Sequence, residues 1–374
     1  MRTALEPLAG TRVLDFTAFP PGAACALVLA DLGAEVIRIE PPAQKGKPSL
    51  VIGQVALSRG KRSICIDLRH PAAGALLRRL AGHADVILES AKPGSMEERG
   101  FGYRHAREAN PRIIWCALTG FGQGGPNANH AGHDLSYLAH SGLLGALSSD
   151  PSWQPGLPLA LQAGGLCAAI GIQGALLERS RSGEGGFVDI SLSEAATWFL
   201  SCGIRALSDH PFRLSSTPDR RLYACADGRF VAVACSEPRT WGVLCDQLGA
   251  PELKTNLHKT EAAEETAMAL AALFARRPAA EWAARLAPAG AAVTVMNHAG
   301  QLLDDPHIRA RHSVAEVAGV PVPASPVRIR APDGRETATA LGEPHRVGAD
   351  NEAVLAAAGL SADEIAALTD QGVI

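Results

Sequence analysis

"TRVLDFTAFPPGAACALVLADLGAEVIRIEPP", residues 11–42, decides the fold class. "TRVLDF" (11–16) is an apolar run of strand length. "PPGAACALVLADLG" (20–33) opens on two prolines, which suit the first turn of a helix, and ends on Gly33, which suits the residue just past it. "AEVIRIEPP" (34–42) is again apolar and β-branched, and two prolines stop it. Strand, helix and strand in so short a span predict a βαβ unit. The pattern continues with "RSICIDLRH" (62–70), "PAAGALLRRLAGHA" (71–84), "DVILES" (85–90) and "RIIWCALTGFG" (112–122). Strands that are apolar throughout, alternating with helices, predict an α/β fold with a parallel sheet covered on its faces.

Downstream the period changes. Residues 131–180 read as helical, and "LCAAIGIQGALLERSRSG" (166–183) is a long apolar helix ending in basic residues and a glycine, the sign that suits the helix dipole. "GFVDISLSEAATWFL" (186–200) gives a strand and a helix. The Pro- and Ser-rich segment 208–220 is expected to be a linker. "RLYACADGRFVAVAC" (221–235) predicts a hairpin around Asp227-Gly228, a strong turn pair. Mixed helices (239–249, 262–276, 279–287) and a strand (291–297) complete a smaller α+β unit. The expected organisation is a large domain over 1–207, the linker, a small domain over 221–300, and a return segment with the C-terminal part over 301–374, packing on the large domain.

Composition narrows the function classes. The 374 residues are 47% hydrophobic and 20% charged, with a formal net charge of −3 and interspersed signs. That balance argues against a nucleic-acid-binding or membrane-surface protein. Eight cysteines without a C-x-x-C pattern read as buried thiols in a reducing, cytoplasmic setting. The start of the chain carries no signal-like apolar region, and no apolar run reaches the length of a membrane span.

Several segments in order, "VLDF" with "PPGAACALVLADLGAEVIRIEPP", "GKRSICIDLRHP", "ADVILESAKPG", "GFGYRHAREANPRIIWCALTGFGQGGP" and "AGHDLSYLAHSG", resemble the family III CoA-transferases, and most closely their α-methylacyl-CoA racemase-like branch. The similarity continues through "YACADGRFVAVACSEPRTW" to "VPVPASPVRI" and covers nearly the whole chain. It implies an enzyme that acts on acyl-CoA thioesters, with coenzyme A as part of the substrate and no metal. It also implies a large Rossmann-like domain with a smaller α+β domain, in an interlocked homodimer.

The resemblance implies a catalytic histidine in "AGHD", which is His133. Chemistry at the carbon beside a thioester needs a base, and inversion there needs an acid on the other face. An enolate must also be stabilised, for instance by backbone N–H groups at a helix N-terminus. The family's second group is an aspartate about 28 to 30 residues later, which in transferases is the nucleophile that becomes an acyl anhydride and then a CoA ester. Here the segment is "PLALQAGGLCAAIG" (158–171), so the slot falls on Leu161 or Ala160, and no carboxylate lies between Asp150 and Glu178. Asp134 and Asp150 are the carboxylates near enough in sequence to replace it, while an N-cap role for Asp134 is the alternative.

Glu237 in "SEPRTW" either supports His133 as an acid/base partner, as the resemblance implies, or is a helix N-terminal acid. Arg38, Arg62, Lys92 and Tyr137 are the residues expected to bind the CoA ester, Lys92 standing where the family has an arginine. His130 and His133 also have H-x-x-H spacing, but without companion ligands no metal site is expected. The expectation is racemase- or isomerase-like proton transfer at the α-carbon through His133. The alternatives are CoA transfer to a carboxylic acid by a relocated carboxylate, and a non-catalytic CoA-binding partner of an active paralogue.

Overall fold

The computed structural model describes residues 4–148, 150, 152–204, 217–337 and 342–374. It divides into two compact units, Met1–Ile204 with Pro306–Ile374, and Arg205–Asp305.

The first unit is built on a six-stranded sheet: β1 (Arg12–Asp15), β2 (Glu35–Glu40), β3 (Arg62–Cys65), β4 (Val86–Glu89), β5 (Ile114–Thr119) and β6 (Gly186–Ser191). The spatial order is β3-β2-β1-β4-β5-β6. Every neighbour pairs in parallel, with Leu14 opposite Ile37 on one side and Ile87 on the other. The α/β expectation from the sequence is therefore met, in the doubly wound order in which strand addition switches sides between β1 and β4.

β4 and β5 are buried along their whole length and β1 to β3 in all but their first residue, because both faces are covered there, while the edge strand β6 leaves Phe187 exposed. On one face Leu14, Ile37, Ile64, Ile87 and Trp115 pack with Leu76, Leu77 and Leu80 from the helix Ala73–Ala81. Leu355, Leu360 and the terminal Val373 and Ile374 enter the same core. The helices Pro20–Asp31 and Leu159–Ser182 pack against each other in this unit. They approach so closely that a Cβ on Gly165 would lie 2.6 Å from the Pro21 carbonyl oxygen, while one on Gly164 would run into Leu192 at the start of the helix Leu192–Thr197. The glycine pair is thus a packing device.

Leu159–Ser182 begins seven residues before the helix expected at 166, because a glycine pair facing another backbone does not break a helix that tertiary contact holds. Although no apolar run of membrane-span length was expected, this helix is apolar enough by length and composition to cross a membrane, an 18-residue window of it having a mean hydropathy of 1.5. Its exposed side carries Leu166, Ile170 and Leu177.

The second unit has an antiparallel sheet of β7 (Arg220–Ala224), β8 (Phe230–Ala234) and β9 (Val293–Val295). Tyr223, Trp241, Phe274 and Trp282 dominate its core. The expected hairpin forms, with Gly228 at φ +73°, although its loop spans Cys225 to Arg229 and is wider than a two-residue turn. Most of the linker expected at 208–220 lies outside the described residues, and β7 already begins at Arg220. In the first unit the Pro-rich return holds a further hairpin, β10 (Val314–Val317) and β11 (Val320–Pro323). Prolines fit there because a two-stranded ribbon leaves each strand with an unpaired edge.

Candidate functional site

In a doubly wound sheet the connections part where the strand order reverses, leaving a crevice beyond the carboxyl ends of the strands. In this chain that place is occupied by a cavity of about 390 Å³. The segment after β1 contributes Phe19, Pro20 and Pro21, that after β4 contributes Ser90 to Pro93, and β5 reaches it with Leu118 and Thr119, followed by Gly120. The wall is completed by Ala128, His130 to His133, Tyr137, Leu161 and Leu192.

His133 stands in extended conformation (φ −129°, ψ 178°) immediately before the helix Asp134–His140. The segment that carries it is fastened from several sides. The Tyr137 hydroxyl donates to the Gly132 carbonyl at 2.6 Å. The Tyr137 ring fits only because Gly120 and Gly132 lack side chains, since a Cβ on either would lie 2.6 Å from its Cε1. Phe121 meets that ring edge-on at 5.3 Å between centroids. His140 pairs with the Ser193 hydroxyl through Nδ1 at 2.7 Å and with the Asn127 amide through Nε2 at 3.1 Å. Burial, with Asp134 nearby, pushes the Tyr137 phenol up, so the ring is a fixed wall and a hydrogen-bond donor.

Asp134 does not point freely into the cavity. Its Oδ1 accepts from the backbone N–H of Leu161 at 2.9 Å, in the first turn of the long helix Leu159–Ser182. Pro158 stands at that helix's N-cap and has no side-chain acceptor, so Asp134 supplies the cap from another element. Asp150, the other carboxylate considered as a nucleophile, is fully exposed in a turn, and both the hydroxyl and the amide of Ser152 hold its carboxyl below the usual range. Neither Asp134 nor Asp150 lines the cavity, and among the described residues no aspartate or glutamate does. Leu161 forms part of the wall, and Ala160 is buried behind it.

The basic residues divide. Lys92 lines the cavity. Arg38 is buried at 5% exposure, within 3.2 Å of Glu40 and donating to the Ser49 hydroxyl at 2.6 Å. Arg62 is held between Glu35 at 2.5 Å and Asp350 at 3.1 Å. Both arginines that the sequence suggests for phosphate contact are thus spent on internal carboxylates. A second cavity, about 370 Å³, lies where β2 and β3 end, and its wall includes Glu40, Asp67, Arg69 and Arg99. Neither Arg69 nor Arg99 is ion-paired among the described residues. They sit in the loops after β3 and β4, where nothing in a single sequence separates them from solvated surface charge.

One further group escaped the sequence reading, and another was weighed there only as a metal ligand. Glu89, the last residue of β4, is almost fully buried, and burial pushes its carboxyl up to about 7 against the Ala91 N–H and Trp115. His130 shares the first cavity with His133. Glu237 lies in the second unit at the N-cap of the helix Pro238–Leu248, where its Oε2 accepts from the Thr240 hydroxyl at 3.0 Å. Among the described residues no group of three or more His, Cys, Asp or Glu is placed to hold a metal.

Comparisons with known proteins agree with this architecture. The family model described as CoA-transferase family III matches residues 8–351. The human alpha-methylacyl-CoA racemase is 32% identical over 383 residues, covering 98% of this chain and 97% of that protein. The acetyl-CoA:oxalate CoA-transferase of Acetobacter aceti is 30% identical, covering 86% and 89%. Among solved structures, Rv3272 from Mycobacterium tuberculosis superposes with a TM-score of 0.79 at 29% identity, over 94% of this chain and 100% of that one.

Proposed function

This chain belongs to CoA-transferase family III and is an acyl-CoA-processing enzyme of the racemase-like branch, and from that premise we propose that it moves protons at the α-carbon of an acyl-CoA with His133 as the base. The observation that carries the reading is the wall of the first cavity. It holds His133 and Lys92 but no carboxylate. An imidazole in a partly apolar cleft can take an α-proton, whereas acyl transfer by the family's usual route needs a carboxylate to form the anhydride. Asp134 is committed to capping a helix and Asp150 to a turn with Ser152, which speaks against either as a relocated nucleophile.

In this proposal the thioester enters the first cavity with its acyl chain against Phe19, Pro21, Leu161 and Leu192. Lys92 supplies positive charge for the anionic parts of the ester. The nucleotide end of coenzyme A reaches the second cavity, where Arg69 and Arg99 meet its phosphates. That cavity opens at the carboxyl ends of β2 and β3, the same edge of the sheet as the first. The supporting role of Glu237 rests on the resemblance alone. A homodimer accords with the exposed Leu166, Ile170, Leu177, Trp198 and Phe199, since apolar side chains exposed in such number mark association surfaces.

The test is deuterium uptake. In D2O the enzyme is expected to incorporate deuterium at Cα of at least one enantiomer of an α-methylacyl-CoA, and His133→Ala to lose uptake into that enantiomer. Uptake unchanged in His133→Ala, or none by the wild type with any acyl-CoA that binds, contradicts the proposal.

A further inference from the structure

We propose that His130 is the second proton carrier of the same site, taking the place on the opposite face of Cα that a carboxylate would otherwise fill. The inference rests on the α-proton chemistry proposed above and adds a residue to it. Inverting a carbon takes two groups, one to remove a proton and one to deliver a proton to the other side. The wall of the first cavity offers four side chains able to exchange a proton in some setting: Lys92, His130, His133 and Tyr137.

Tyr137 is engaged with the Gly132 carbonyl, and burial pushes its phenol further from the neutral range. Lys92 brings a charge suited to an anionic ester. Imidazole is the side chain that changes charge between about pH 5 and 8, and so both gives and takes a proton at neutral pH. His130 is the other imidazole lining this cavity.

Placement supports the assignment. His130 and His133 are three residues apart, so their backbones lie no more than roughly 10 Å from each other. Both side chains line the same cavity. Both belong to a segment held by the Asn127–His140 contact before His130 and by the Tyr137–Gly132 bond beside His133. The His130 amide is itself bonded to the Asn127 carbonyl at 2.8 Å.

The proton count closes. His133 removes the α-proton and becomes imidazolium while the C–H electron pair passes into the enolate. The enolate carbon then takes a proton from the His130 imidazolium, which becomes neutral. The product has inverted configuration, and the two rings have exchanged charge states, which solvent or a turnover in the reverse direction resets.

His130→Gln and His130→Ala, checked for unchanged thermal unfolding, are compared with wild type on each enantiomer of an α-methylacyl-CoA in D2O. Inversion is expected to fall at least ~100-fold, the usual scale for losing one acid/base group. The enantiomer that presents its proton to His133 should still exchange deuterium with retention. Inversion at the wild-type rate in both variants overturns the role of His130 while leaving that of His133 intact. Absence of exchange in the wild-type enzyme with both enantiomers overturns the α-proton chemistry and this inference with it.

Discussion

Replacing Asp134 separates two roles that the sequence alone leaves open. In the structure its carboxylate caps the long helix through the Leu161 N–H at 2.9 Å. Asp134→Ala removes a cap whose loss typically costs about 0.5–2 kcal/mol. It also removes a negative charge from the positive end of a 24-residue helix, a further loss of about 0.3–1 kcal/mol. The sum is about 1–3 kcal/mol. Asp134→Asn keeps an acceptor and loses only the charge, so about 0.3–1 kcal/mol is expected. Urea unfolding followed by circular dichroism should show midpoints in the order wild type, Asn, Ala, with the slope unchanged. Hydrogen exchange should show lost protection in the peptide containing Leu161, most in the alanine variant. An alanine variant with wild-type midpoint and protection refutes the cap. So does an asparagine variant that folds fully, loses all turnover, and replaces a wild-type enzyme in which residue 134 carries a hydroxylamine-sensitive CoA ester.

Other outcomes follow from single groups. Glu89 has a folded-state pKa of about 7, above the ordinary carboxylate range, so the folded state holds a proton that the unfolded chain releases. Its contribution is therefore fully present below about pH 4.3 and is lost as the pH rises towards 7. The wild-type melting temperature should fall across that window relative to Glu89→Gln, and parallel profiles would contradict the assignment. Arg69→Ala and Arg99→Ala are each expected to weaken binding of coenzyme A about tenfold or more, as for a lost charge-assisted hydrogen bond worth about 1.5–3 kcal/mol, while binding of a pantetheine thioester lacking the nucleotide stays unchanged. Calorimetric titration distinguishes this from the opposite outcome, in which both ligands weaken alike.

The sheet was legible because parallel strands buried on both faces are apolar throughout: "RVLD", "VILE" and "IWCALT" stand out against helices with small or periodic residues. The six strands and the helix after β1 follow from that local signal, and the resemblance brought His133 forward. What escaped notice depends on contacts between residues far apart in the chain. Arg62 reads as a phosphate ligand until Asp350 is found beside it, 288 residues away. Asp134 reads as the cap of its own helix, but its carboxylate caps a helix that starts 25 residues later, where Pro158 offers no side-chain acceptor. Glu89 looks like the end of an ordinary strand, and only burial among Trp115 and its neighbours pushes its carboxyl up. The β10–β11 hairpin was hidden because Pro321 and Pro323 argue against a strand unless its edge is free.

The claim that this site moves protons and does not carry acyl groups is tested most directly by following both partners of one reaction. The wild-type enzyme is incubated with an α-methylacyl-CoA in D2O, and ester and intact protein are weighed by mass spectrometry over the same time course. The expected result is a gain of one deuterium at Cα, dependent on His133, with no CoA-ester adduct on the protein once it is returned to H2O. A protein-bound CoA ester that hydroxylamine releases, with no deuterium at Cα, would contradict it.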